Sequence, residues 1–206
     1  METLSLNPAR CALILIDLQN SNLARQLAPH AGTRVVDHCA RLAQALRARA
    51  GTVVYVRVLV EELLALPADA PLGRPAGAPP PGPLASQLVP EAGVHADDVL
   101  IVKRQWGAFY GTELDQILRR RHIDTLVLGG IATNFGVEST ARAAFDLGYK
   151  LVFAEDAMSG VSAEAHQFAC QRVFPHIGRV RSTDSLLRML DGTAGSADRS
   201  DENANP

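Results

Sequence analysis

The stretch DTLVLGGIATNFGVESTARAAFDLGYKLVFAEDA, Asp124 to Ala157, contains three segments of different character. DTLVLGG (124–130) is almost continuously apolar, the pattern of a strand covered on both faces. NFGVESTARAAFDLG (134–148) has the spacing of an amphipathic helix, with Gly148 placed to end it. KLVFAEDA (150–157) reads as a second strand. Strand, helix and strand in succession make a βαβ unit, which requires parallel strands joined by a right-handed crossover.

The same alternation continues in both directions. CALILID (11–17), TVVYVRV (52–58), DVLIVK (98–103) and GRVRS (178–182) read as further strands. Helical patterns lie at 33–51, 112–121, 162–174 and 183–190. Gly51 is a candidate C-cap, and Thr112, Ser162 and Thr183 are candidate N-caps, Thr112 forming a weak capping box with Asp115. The expectation is an α/β fold with helices on both faces of a mostly parallel sheet. Its strand C-termini then share one rim, where such folds bind ligands.

With 206 residues and 47% apolar composition, residues 1–190 suffice for a single domain. Two stretches depart from the pattern. Residues 66–90, LPADAPLGRPAGAPPPGPLASQLVP, contain too much proline for a helix or central strand and read as a surface excursion. The functional reading of that segment is a lid or an arm on a neighbouring subunit. Residues 191–206 carry no apolar period and are expected to be a disordered tail. A net charge of −2 without basic blocks argues against a nucleic-acid partner. No apolar run reaches membrane-span length, so no membrane association is expected. Three cysteines at unrelated spacings fit a reducing, cytoplasmic setting.

The rim nominates the chemistry. Asp17 closes one apolar strand and Lys103 another, and the loop 131–136 precedes the third helix. An ionisable group there is costly unless paired or solvated. A buried ion pair and an acid with its electrostatic partner both fit. Trp106, Phe109 and Tyr110 follow Lys103 and read either as packing or as the apolar wall of a site. Arg57 is a candidate carboxylate partner or a structural ion-pair member, and Gln19 would share Asp17's side if the strand continued. Glu138 and Arg142 stand four apart, as in a structural helix salt bridge. Dinucleotide, P-loop, HExxH and GxSxG motifs are absent. The six histidines show no HxH or HxxxH spacing; no metal and no cofactor are expected, and His38 and His166 read as surface or packing residues.

LILIDLQN, followed at its distance by VKRQWGAFYGTELDQILRRRHIDTLVLGGIATNFGVESTARAAFDLGYKLVFAEDAMSG, resembles the isochorismatase-like hydrolase superfamily over about Ala12 to Leu190. The resemblance implies a Rossmann-like, three-layer α/β/α sandwich with a six-stranded parallel sheet. It also implies a non-proline cis peptide at Ile131–Ala132. Most members use an aspartate, a lysine and a cysteine; by position these are Asp17, Lys103 and, in place of the cysteine, Gly136. Ala132, Thr133, Asn134 and Phe135 then line the substrate together with Gln19, Arg57, Trp106 and Phe109. The isochorismatases proper also carry glycine here and hydrolyse a vinyl ether without a covalent enzyme intermediate, although their YAHxG differs from ATNFG. By that analogy Asp17 is the general acid, acting on a small anionic metabolite. Amide or ester hydrolysis by activated water, or a silent ligand-binding member, are the alternatives. The resemblance further implies a homodimer or homotetramer.

Overall fold

A computed structural model describes residues 6–63, 66–70 and 79–192. Six strands form one sheet: β1 (Cys11–Ile16), β2 (Thr52–Val58), β3 (Val99–Lys103), β4 (Thr125–Ile131), β5 (Lys150–Ser159) and β6 (Arg179–Arg181). Their order is β3-β2-β1-β4-β5-β6, and every neighbouring pair is parallel. The helices are α1 (Asn20–Leu23), α2 (Gly32–Arg47), α3 (Leu114–Arg120), α4 (Glu138–Asp146), α5 (Ala163–Phe168), α6 (Phe174–Ile177) and α7 (Thr183–Leu190).

Period-two alternation along the strands builds two separate cores. Ala12, Ile14 and Ile16 of β1 join Val54 and Val56 of β2 and Leu126 and Leu128 of β4 on one face, under α3, α4 and α6. Leu13 and Leu15, with Val53, Tyr55 and Val127, pack on the other face beneath α2 and α7. The result is a three-layer α/β/α sandwich, with both faces of the central strands dry.

Several elements differ from their sequence limits. Residues 134–148 begin as a π-type turn, Thr133–Val137, before α4, and a second such turn, Ala169–Val173, separates α5 from α6. Ser162 caps α5 as expected, but Ser182 rather than Thr183 caps α7, its hydroxyl accepting from Ser185 N. Thr112 is not the N-cap of α3; Glu113 holds that position, although the Thr112 hydroxyl accepts from Leu114 N. Gly51 is not the left-handed residue after α2. Ala50 is, with φ 55°, and Gly51 is small because a Cβ would meet Leu46 Cδ1 at 2.5 Å. Gly148, at φ 85°, does terminate α4. The tail beyond 192 and residues 71–78 of the proline-rich segment lie outside the described residues. No helix among the described residues is long and apolar enough to cross a membrane.

β5 contains the main irregularity. Leu128 pairs with Phe153 and Gly130 with Met158, so five residues of β5 advance against two of β4. Phe153 and Met158 consequently face the same core although their parities differ. The bulge carries Glu155 and Asp156, the two acidic residues of this strand.

Candidate active site

β1 ends at Ile16, and Asp17 turns sharply away at φ 51°. Strand order reverses between β1 and β4, the position at which doubly wound sheets open a crevice at their C-terminal rim. Lys103 ends β3 opposite Val58, and in-register parallel partners share a face, so it lies on the side of Ile101 and Val56. The two charged groups therefore converge across the end of β2. Lys103 Nζ lies 2.8 Å from Asp17 Oδ2 and donates to the Trp106 carbonyl at 2.5 Å.

Both residues are buried, Asp17 at 6% and Lys103 at 1% exposure. Asp17 Oδ1 is buried without a hydrogen-bond partner among the described residues. Burial lifts this carboxyl from its ordinary 3.8 to about 6, overriding the lowering pull of the Lys103 charge and hydrogen bond. An ion pair alone would have lowered it. Here desolvation wins, and the carboxyl takes up its proton as pH falls through about 6.

β4 leads into the third contributor. Gly130 adopts φ 113°, where a Cβ would stand 2.1 Å from Ile16 O, so only glycine lets β4 pass this close to β1. The Ile131–Ala132 peptide is cis, as the resemblance implied. The π-type turn follows, and its Phe135 and Val137 amides both donate to Ala132 O. A Cβ placed on Gly136 would lie 3.2 Å from Lys103 Nζ, 3.3 Å from Asp17 Oδ2 and 3.0 Å from Ile16 Cγ2. Position 136 thus faces the charged pair directly, and a side chain there would be crowded against it.

The remaining candidates separate into two groups. Phe135 stays beside the pair, its ring 5.1 Å and edge-on from half-exposed Trp106, whose carbonyl holds Lys103. Ala132, Thr133 and Asn134 form the turn itself, and Asn134 Oδ1 is buried without a partner among the described residues. Three residues are not brought to the pair. Because the strand ends before Asp17, the Gln19 amide turns into the β1–β2 junction, donating to Val58 O and accepting from Val58 N. Phe109 packs in the core beside the Tyr149 ring, 5.9 Å away. Arg57 alternates to the Tyr55 side of β2 and lines a separate open groove with Leu88, Val89 and Leu100, its Nη1 donating to Ser86 O.

No thiol substitutes for the missing side chain. All three cysteines are buried, and desolvation drives Cys11 and Cys170 up to about 12 and raises Cys39 as well. Arg142 and Glu138 form the expected helix salt bridge at 2.9 Å. One cluster has no sequence signature. His30 Nε2 and His166 Nε2 each lie 3.0 Å from Glu155 Oε1, and His166 Nδ1 lies 2.8 Å from Thr133 Oγ1 in the turn. These residues come from a loop, β5 and α5, so only the three-dimensional fold unites them.

Comparison with known proteins agrees with this geometry. The Isochorismatase domain model matches residues 11–185. YecD, an isochorismatase family protein of Escherichia coli O157:H7, is 46% identical over 199 residues, covering 91% of this chain and 100% of its own length. YwoC of Bacillus subtilis (strain 168), also of that family, is 41% identical over 92% of this chain and 99% of its own. The structure of an isochorismatase family protein from Burkholderia thailandensis superimposes with a TM-score of 0.84 at 41% identity, covering 91% of this chain and 98% of that one. The sheet order, the charged pair at its switch point and the matched domain lead to one conclusion: this chain belongs to the isochorismatase family of hydrolases.

Proposed function

We propose that this hydrolase cleaves the vinyl ether of a small anionic, cyclic metabolite without forming a covalent bond to the enzyme, with Asp17 as the general acid. The observation that carries the proposal is the Asp17 carboxyl: buried, raised to about 6, and with Oδ1 unpartnered. A carboxylate tuned in this way can hold a proton and release it to carbon, the task that vinyl ether hydrolysis sets. Asp17 donates that proton to the terminal methylene carbon, which becomes a methyl group, and an oxocarbenium ion forms at the ether-bearing carbon. Water adds to this cation and returns a proton to the site. The hemiketal then collapses to pyruvate and an alcohol.

Lys103 takes two parts in this scheme. It stabilises the carboxylate left on Asp17 after proton transfer, and its charge attracts an anionic substrate. Gly136 supports the non-covalent route because it supplies no nucleophile beside the two charged groups. Trp106 and Phe135 offer an aromatic wall for a ring.

The test is pyruvate release from isochorismate and related enol-pyruvyl ethers by the purified chain. The expected result is turnover whose rate falls as pH rises through about 6 and Asp17 loses its proton. No pyruvate from any of these ethers, or a rate that climbs above that pH, would overturn the reading.

A further inference from the structure

The cluster around Glu155 is outside the Asp17–Lys103 pair and plays no part in the chemistry above. We propose that His30, Glu155 and His166 form a binding site for one divalent transition cation of the zinc class. The three ligand atoms, both Nε2 nitrogens and one carboxylate oxygen, lie within 4.8 Å of one another. Each nitrogen is 3.0 Å from Glu155 Oε1. Ligand atoms around a four-coordinate zinc ion with bonds near 2.0–2.2 Å stand about 3.3 Å apart. Both nitrogen–oxygen spacings are within a few tenths of an ångström of that value, and the nitrogen pair, within 4.8 Å, has only to close onto the ion. Two imidazoles and one carboxylate are a donor set suited to borderline divalent metals, and they leave at least one position open.

Four features distinguish this cluster from a chance meeting of polar groups. His166 is 1% exposed, and its far nitrogen lies 2.8 Å from Thr133 Oγ1. A metal-bound imidazole is typically oriented in this way, its remaining N–H donating to an oxygen. Cys170 Sγ lies 3.6 Å from His166 Nε2, near enough to serve as a fourth donor. The His30 backbone is anchored, its N–H donating to Ser159 Oγ, while Ala28 and Gly160 exchange two hydrogen bonds beside it. Finally, His30 and Glu155 keep 17% and 36% of their side-chain surface exposed, which gives an ion a path inward.

In the metal-free protein, Glu155 Oε1 accepts from ring N–H groups on both sides; a cation would replace those two hydrogens. Each ring then carries its proton on Nδ1, and that of His166 is donated to Thr133 Oγ1. Thr133 opens the turn that presents Gly136, so an ion held here would brace that turn from behind. The proposal departs from the sequence expectation of no metal, which rested on histidine spacing along the chain.

The test uses the untagged full-length chain, stripped with a chelator and titrated with Co2+ alone. The expected result is saturation at one equivalent, with visible absorption bands of a low-coordinate ion and displacement by Zn2+. Zn2+ should also raise the melting temperature, since it binds the folded state. His30→Ala and Glu155→Gln, each verified as folded by circular dichroism, should weaken Co2+ binding by roughly tenfold or more. The buried His166 is a poorer probe, because its loss also releases Thr133. Absence of saturable binding by either ion, or binding unchanged in both variants, would overturn the proposal.

Discussion

Asp17 and Glu155 are two carboxylates in one domain, each beside nitrogen bases, and their acidities diverge. Asp17 meets a formal positive charge at 2.8 Å yet is raised to about 6. Glu155 meets two imidazoles at 3.0 Å, is partly open to water, and is lowered to about 2. The cation is closer at Asp17, but burial is nearly complete there and one oxygen has no partner among the described residues. At Glu155, hydrogen bonds from His166 and His30 outweigh a weaker desolvation. Proximity of a counter-charge does not decide the direction. What decides it is whether hydrogen bonds and solvent replace the water that burial removes. The first arrangement suits proton donation and the second suits a permanent anion.

Three substitutions would break or sharpen this contrast. Asp17→Asn has the largest expected effect: turnover should fall by about 10²–10⁴-fold, the usual contribution of a positioned general acid. Ligand binding should remain measurable, because shape and the adjacent ammonium persist. Full activity in steady-state assays would remove Asp17 from the mechanism. Lys103→Met tests the balance itself. Lys103 is the lowering influence on Asp17, so its loss should move the descending limb of the rate profile above about 6. An unmoved or lowered limb would mean that Lys103 does not oppose the effect of burial. Glu155→Gln is the mildest, with an expected cost of about 1–2 kcal/mol in denaturant unfolding, since two charge-assisted bonds are weakened at a partly hydrated position.

The same contrast has opposite signatures in pH-dependent stability. Asp17 is raised above its unfolded value, so its contribution is full below about 3.8 and is lost as pH climbs toward 6. Glu155 is lowered, so its contribution is present above about 4.5 and is lost as pH falls toward 2. Glu155→Gln should therefore flatten only the acid side of the stability curve, which equilibrium unfolding across pH would resolve.

Local apolar period made the layers legible in the sequence. β1 and β4 are plain in the sequence because continuous apolar composition is what burial on two faces demands, whereas the edge strand β6, Arg179–Arg181, is half-buried and follows from the alternation of elements. Asp17, Lys103 and Gly136 were legible because each closes or opens an element at one rim, and topology then brings them together. Gln19 would share Asp17's side only if β1 continued, and β1 stops at Ile16. Arg57 is a candidate by its place near the end of β2, where alternation carries it to the face opposite Lys103. The His30–Glu155–His166 cluster was illegible because His30 stands 125 residues from Glu155, and Glu155 and His166, 11 residues apart, belong to a strand and a helix. Its signal, two acidic residues in an otherwise apolar strand, marks the bulge rather than its partners.

The bulge in β5 gives one strand authority over both sides of the sheet. Glu155 leans one way, toward the histidines, whereas Asp156 leans the other, with its Oδ1 accepting from Thr183 N and Oγ1 and its Oδ2 3.3 Å from His38 Nδ1. Shortening that segment by one residue would swap the two acids between compartments. The last helix would lose its tether and the imidazoles their anion in a single event. Adjacent residues here serve opposite halves of the molecule, so the spacing across this bulge decides which acid each half receives.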